Sequence, residues 1–250
     1  MVDNGSTDGS IERIRGEKHL KLILMGRNTG FAYACNIGAA YASADTLLFL
    51  NQDAEIYKDA LTKVFDFLTA DKKRGIVSGK IIYPDGRLQE TIRRFPGYMS
   101  FLFGRRSPLT KLFPKNRWTA RYLYLDSDFQ KPHRIDSCTG MFMLVRKKAF
   151  QALRGFDEGF FFYVEDLDFC IRAAKAGYET WYLPTKVAMH HLGENLNSAS
   201  DRAYVKMHHY KGIYRFIIKH KNPGFLLRGL VFLATGLSIV LHILRSRISR

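Results

Sequence analysis

Short apolar runs alternate with stretches of helical periodicity over the first third of the chain. Residues 10–15 read as a short helix, 20–24 as a buried strand and 32–42 as an alanine-rich helix. Residues 46–50 and 75–78 read as strands on either side of a helix over 60–70. Strand-length apolar runs joined by helices indicate β-α-β units. The expected fold is therefore α/β, with a Rossmann-like, mostly parallel sheet flanked by helices. In such sheets ligands gather beyond the carboxyl ends of the strands. Val2 reads as the last residue of a strand and runs straight into a polar turn, so one β-α unit is expected to be missing ahead of it.

The regularity fails over residues 84–135. Five prolines punctuate a stretch rich in Phe, Tyr, Lys and Arg, with the pairs Arg93-Arg94 and Arg105-Arg106. It reads as an irregular basic-aromatic insertion: either a surface that meets an acceptor or a membrane, or a solvated loop. Order returns with a strand at 141–145, a helix at 147–153 and an aromatic run at 160–164. That run leads into a helix over 165–176, which Gly177 stops. Short strands follow at 180–183 and 187–189, then a basic, aromatic helix over 202–220.

Residues 225–244 are almost wholly apolar, broken by Arg228, Ser238 and His242 and flanked by lysines and arginines. A membrane span needs about 20 predominantly apolar residues. The run is therefore expected to form a C-terminal apolar membrane-associating helix that lies in the interface or half-inserts, in preference to a true span; packing on the domain or a partner subunit stays open. On this pattern the chain divides into a domain over 1–200 and a helical, apolar tail over 201–250.

Composition narrows the partners. With 39 Lys and Arg against 23 Asp and Glu, the formal net charge is +16, which favours phosphates and anionic lipid head groups. Nucleic acid is not expected, since no RNA-binding signature accompanies the basic stretch. Cys35, Cys138 and Cys170 form no C-x-x-C pair. That spacing argues against a disulfide framework or a zinc site and fits a reducing compartment.

Three acidic sites fall where strands end or helices begin. Asp3, in Val2-Asp3-Asn4-Gly5-Ser6, can accept the N–H of a pyrimidine base or simply shape a turn. Asp53 closes Asn51-Gln52-Asp53 at the end of a buried strand; it can share Mg²⁺ or Mn²⁺ with a diphosphate, or cap a helix. Glu165-Asp166 and Asp168 follow Phe160-Phe161-Phe162-Tyr163-Val164. Aromatic neighbours can desolvate such acids toward general-base duty, and acids in a helix's first turn also complement its dipole. His190-His191 can add a nitrogen ligand to a metal.

Taken in order, these segments resemble the family 2 glycosyltransferases, particularly bacterial rhamnosyltransferase-like members. The likeness runs from Val2 to about Asn195. It includes Asn28-Thr29-Gly30-Phe31-Ala32 with Asn36 and Gly38, and Thr139-Gly140-Met141-Phe142. Its most specific part is Gly155-Phe156-Asp157-Glu158 with Glu165-Asp166-Leu167-Asp168-Phe169-Cys170.

The resemblance implies a GT-A fold and an inverting transfer of a sugar, rhamnose among the candidates, from a nucleoside-diphosphate sugar. The acceptor would be a glycan or lipid-linked saccharide in cell-surface polysaccharide synthesis. It implies Asp166 as the catalytic base. Asp3, Asn4, Ser6, Asn28, Gly30, Asn36 and Asn51 fall on the donor side. Asp53 and His190 would be ligands of Mn²⁺ or Mg²⁺, and Asp157, Glu165 and His191 lie on the acceptor side, with His191 the alternative to His190. Asn51 stands where the family's D-x-D motif has its first carboxylate. The expected location is the cytoplasmic face of the cell membrane. The shortened start keeps a second reading open, an inactive transferase that serves as a membrane-bound binding or scaffold protein.

Overall fold

A computed structural model describes residues 1–103, 108–128, 130–191 and 199–248. The Arg105-Arg106 pair lies outside the described residues. The chain forms two compact units: Met1–Ser43 with Arg154–Asp168 and Gly193–Arg250, and Ala44–Leu153 with Phe169–Leu192.

The first unit opens with a parallel β-α-β turn. Strand β1 (Val2–Asp3) pairs with β2 (Ile23–Leu24) across helix α1 (Ser10–Ile14). Helix α2 (Phe31–Tyr41) follows; its small residues Ala32, Ala34 and Ala39 are buried. Gly38 sits close under Val2, where a Cβ would come 3.1 Å from Val2 Cγ2.

The second unit is built on a mixed sheet. Its elements run β3 (Thr46–Leu50), β4 (Ala54–Ile56), α3 (Ala60–Thr69) and β5 (Arg74–Ile82). They continue with β6 (Ile92–Arg93), α4 (Tyr98–Leu102), α5 (Pro108–Leu112), α6 (Arg117–Tyr122), β7 (His133–Ile135) and β8 (Ser137–Cys138). Then come β9 (Phe142–Arg146) and α7 (Lys147–Ala152). Helix α8 (Glu165–Lys175) begins in the first unit, and β10 (Glu179–His190) completes the sheet.

The sheet order is β3-β9-β5-β10-β4, with β7 also on β10. Among the described residues of this sheet only β5 and β10 pair in parallel; the other four pairings are antiparallel. This corrects the mostly parallel expectation. After the excursion over 84–135 the chain re-enters as β9, runs antiparallel and separates β3 from β5. Strand β4, three residues long, had no signature against the turn that precedes it.

Burial explains the register. Ala60, Val64 and Leu68, spaced by four along α3, pack on Val77, Ile81, Phe142, Leu144, Val187 and Ala188. Each large side chain so buried contributes about 1.5–3 kcal/mol. Strand β3 alternates, with Leu47 and Phe49 inward, whereas β5 is buried on both faces. At Gly79 a Cβ would meet Val187 Cγ1 at 2.3 Å, so only glycine lets β10 approach this closely. Pro184 carries no N–H, and the β5–β10 ladder shifts register between Leu183 and Lys186. One long, bulged strand therefore replaces the two short strands expected there.

The chain ends with α9 (Ala199–Lys221) and α10 (Phe225–Ile248). Phe216 and Ile217 of α9 are buried, and Tyr214 packs on Phe232 of α10 at 5.8 Å. Phe225, Leu226, Leu230, Phe232 and Leu233 are exposed. Among the described residues no helix is long and apolar enough to cross a membrane. Among the described residues no disulfide joins the three cysteines. Burial first, and the Glu165 charge second, push the Cys35 thiol up to about 12.

Candidate active site

The antiparallel β4–β10 register builds the corner of the second unit. Ala54 stands opposite His190, and the His191 N–H donates to the Asp53 carbonyl at 2.8 Å. That pairing brings the Asp53 carboxylate to 3.1 Å from His190 Nε2. Asn51, at the end of β3, places Nδ2 3.4 Å from the same ring nitrogen. His190 is only 3% exposed, and its Nδ1 is buried without a hydrogen-bond partner. His191, the alternative ligand, points instead to Glu55 at 3.2 Å on the surface.

Among the described residues no three His, Cys, Asp or Glu side chains gather as a metal-binding group. Asp53 and His190 still form a carboxylate–imidazole pair with an orphaned ring nitrogen. Such a pair suits Mn²⁺ or Mg²⁺ where substrate phosphates complete the shell.

In the first unit, Asp3 ends β1 and curls over its own turn. Its carboxylate accepts the Gly5 N–H at 3.1 Å and the Ser6 N–H at 3.0 Å. Burial raises its pKa, but hydrogen bonds from Ser6 and Gly5 outweigh that, leaving it below the ordinary value. Asn4 ties this turn to the next loop: Nδ2 donates to Asn28 Oδ1 and the Gly30 carbonyl, while Oδ1 accepts from the Thr29 N–H and hydroxyl. Asn28 Oδ1 also accepts the Gly30 N–H.

Gly5, at φ 83°, has no room for a Cβ, which would lie 2.8 Å from the Arg27 backbone. Gly30, at φ 89°, meets the Phe161 carbonyl at 2.6 Å in the same way. Asn36 holds the Gly155-Phe156-Asp157-Glu158 segment. It donates to the Phe156 carbonyl and Glu158, and accepts the Phe156 N–H. Asn4, Asn28, Gly30 and Asn36 thus bind one another and the protein frame.

Helix α8 sorts its three acids by exposure. Glu165 is 4% exposed and Asp168 fully buried, whereas Asp166 is half-buried and reaches solvent. The Asp166 carboxylate accepts the Leu167 N–H at 2.7 Å. Burial, then the charges of Asp166 and Asp168, hold the Glu165 carboxyl well above the usual range. Glu165 Oε2 is buried without a hydrogen-bond partner, an interior setting for a residue expected on the acceptor side.

Asp157 is engaged by cations: Arg215 at 2.9 Å and Lys219 at 2.6 Å. Burial raises its pKa, but Lys219, the Gly159 N–H and Arg215 carry it below the ordinary value. Lys219 also reaches Asp168 at 2.6 Å, as does His220 at 2.7 Å. Sequence reasoning missed these α9 partners, because nothing local in α9 marks which acids its cations meet.

The family described as "Glycosyl transferase family 2" matches residues 1–154, and "N-terminal domain of galactosyltransferase" matches residues 122–194. The chain is 27% identical to an N-acetylglucosaminyl-diphospho-decaprenol L-rhamnosyltransferase of Mycobacterium tuberculosis, over 99% of this chain and 85% of that protein. It is 29% identical to rhamnosyltransferase WbbL of Escherichia coli K12, over 77% of this chain and 71% of the other. Among solved structures it resembles mannosyltransferase PcManGT of Pyrobaculum calidifontis, in complex with GDP-Man and Mn²⁺. The TM-score is 0.55 at 17% identity, covering 99% of this chain. The match spans 63% of the archaeal chain, less than two-thirds, and speaks for the fold alone.

Proposed function

Because the chain belongs to glycosyl transferase family 2, and is a sugar-transferring enzyme by that membership, we propose that it is an inverting transferase. Its donor is a nucleoside-diphosphate sugar and its acceptor a saccharide on a lipid carrier, in the building of a cell-surface polysaccharide. L-Rhamnose is the proposed sugar because the mycobacterial and Escherichia coli relatives described above are rhamnosyltransferases, and the acceptor class follows the mycobacterial relative's name. One observation carries the assignment of the base: of the three acids in α8's first turn, Asp166 alone reaches solvent.

Asp166 takes the proton of the acceptor hydroxyl as its oxygen attacks the anomeric carbon. The bond from that carbon to the diphosphate oxygen breaks on the opposite face, so the configuration inverts and nucleoside diphosphate leaves. Base assistance of this kind is worth about 10²–10⁴-fold. Asp3, held ionised by the Gly5 and Ser6 amides, accepts the nucleobase N–H. Asn4, Asn28, Gly30 and Asn36 shape the loops around it. Asp53 and His190 are the residues that would hold Mn²⁺ or Mg²⁺, which when bound offsets negative charge on the departing diphosphate. Helix α10, with Phe225, Leu226, Leu230 and Leu233 exposed, lies on the cytoplasmic face of the membrane.

The test supplies dTDP-, UDP- and GDP-linked L-rhamnose in turn, with Mn²⁺ and N-acetylglucosaminyl-diphospho-polyprenol. Release of nucleoside diphosphate and an inverted anomeric centre by NMR are expected; a retained centre, or pyrophosphate as the by-product, contradicts the proposal. For the membrane, the full chain floats with anionic vesicles and a chain ending at Gly224 does not. Equal flotation of both removes α10 from that role.

A further inference from the structure

Helix α9 lays one face along the segment that leads to Asp166, and every contact lies within the first unit. Tyr204, His208, Gly212, Arg215 and Lys219 follow one another at steps of three or four, the spacing of neighbours on one side of a helix. His208 stacks on Phe161 at 4.2 Å, and Tyr204 meets the same ring edge-on at 5.9 Å. Gly212 admits the backbone of Tyr163 and Val164; a Cβ there would stand 3.2 Å from the Tyr163 carbonyl oxygen. Arg215 lies over the Phe160 ring and fills the space beside Gly159, where a Cβ would come 2.1 Å from its Cζ.

The far end of this face carries the charges. Lys219 bridges Asp157 and Asp168, and His220 Nε2 lies 2.7 Å from the accepting Asp168 Oδ1. Asp168 is fully buried, a costly place for a carboxylate unless cations and hydrogen bonds compensate it. The segment they hold is strained. Tyr163 (φ 67°) and Val164 (φ 75°) both sit in the left-handed region, which non-glycine residues keep only where their surroundings enforce it. The Val164 carbonyl accepts the Asp168 N–H at 2.9 Å, so this kink is the start of α8.

We infer that Lys219 and His220 are positioning residues for the catalytic base. By fixing Asp168 and Asp157 they hold the first turn of α8, and with it the Asp166 carboxylate, in its working orientation. The inference rests on Asp166 being the base. The titratable and charged groups around that turn are Asp157, Glu165 and Asp168 on its own side, and Arg215, Lys219 and His220 on α9.

The test follows the Asp166 carboxyl by ¹³C NMR across pH in the full chain, assigned by Asp166→Asn, and measures turnover alongside. Lys219→Met and His220→Leu are expected to displace the Asp166 titration upward. They should lower kcat roughly 10–100-fold, the scale for residues that support a reactive group, with KM for the donor sugar changed less than about two-fold. Lys219→Arg restores both readouts. Lys219→Gln, which keeps a donor and loses the charge, takes the place of Lys219→Met should that variant not fold. Variants that melt earlier yet keep the wild-type titration and kcat make these residues mere struts and overturn the inference; an inactive Asp166→Asn would leave the base assignment standing. An Asp166→Asn protein with full turnover overturns both.

Discussion

The two acidic regions of this protein are assembled by different means. Around Asp166 the functional group and its closest neighbours are contiguous, Glu165 through Asp168, and one helical turn arrays them. Around Asp53 the members come from two distant stretches: Asn51 and Asp53, in the link between β3 and β4, and His190 at the end of β10. A contiguous turn announces itself in the sequence but leaves open which of its acids is accessible. A corner made by strand register hides which of its members meet and, once formed, fixes their distances. The first region is therefore sensitive to what packs against it, and the second to the ladder that aligns it.

Substitution in the corner has the largest expected effect on this comparison. Asp53→Ala removes the carboxylate beside His190 and should weaken Mn²⁺ binding, raising the midpoint beyond the roughly 10–100-fold seen when a supporting residue of a metal site is lost. A Mn²⁺ titration of turnover checks it; an unchanged midpoint would detach the corner from metal binding.

A smaller effect is expected at Glu165, on stability. Its folded-state pKa is raised by burial and then by Asp166 and Asp168, so the folded protein holds this proton to higher pH than the unfolded chain. Stability attributable to it is complete below the ordinary glutamate range and declines as pH rises toward the folded value. Glu165→Gln removes that decline. Urea unfolding at about pH 4.5 and pH 8.5 should show the variant gaining on the wild type only at the higher pH. An equal difference at both would contradict the buried, proton-holding role.

The smallest change belongs to His191→Gln. His191 and Glu55 form an exposed pair, at 35% and 67% side-chain exposure, worth at most about 1 kcal/mol. Mn²⁺ dependence should be unaffected; a shifted midpoint would exchange the roles of His190 and His191.

Much of this was legible in the chain, for reasons that differ by element. Helices α2, α3, α8 and α9 were expected within a few residues of their observed ends, because apolar spacing and the Gly177 stop are local signals. Strand β4 was not expected: Ala54–Ile56 is too short to show alternation, and Asp53 looked equally like a helix cap. Pro184 divided one long strand into two on paper, because a bulge absorbs a missing N–H that a regular ladder could not. The sense of the sheet was misjudged because alternation of strands and helices cannot reveal that β9 re-enters between β3 and β5. Asp157 was expected on the acceptor side, and its partners Arg215 and Lys219 went unforeseen because they lie in a helix whose charge pattern favours no particular acid.

The most direct measurement pairs donor binding with turnover in Asp166→Asn. Calorimetry with a nucleoside-diphosphate sugar and Mn²⁺ should give the wild-type affinity, while sugar transfer falls by about 10²–10⁴-fold. Transfer at the wild-type rate would mean that a different group receives the acceptor's proton and that α8 does not supply the base.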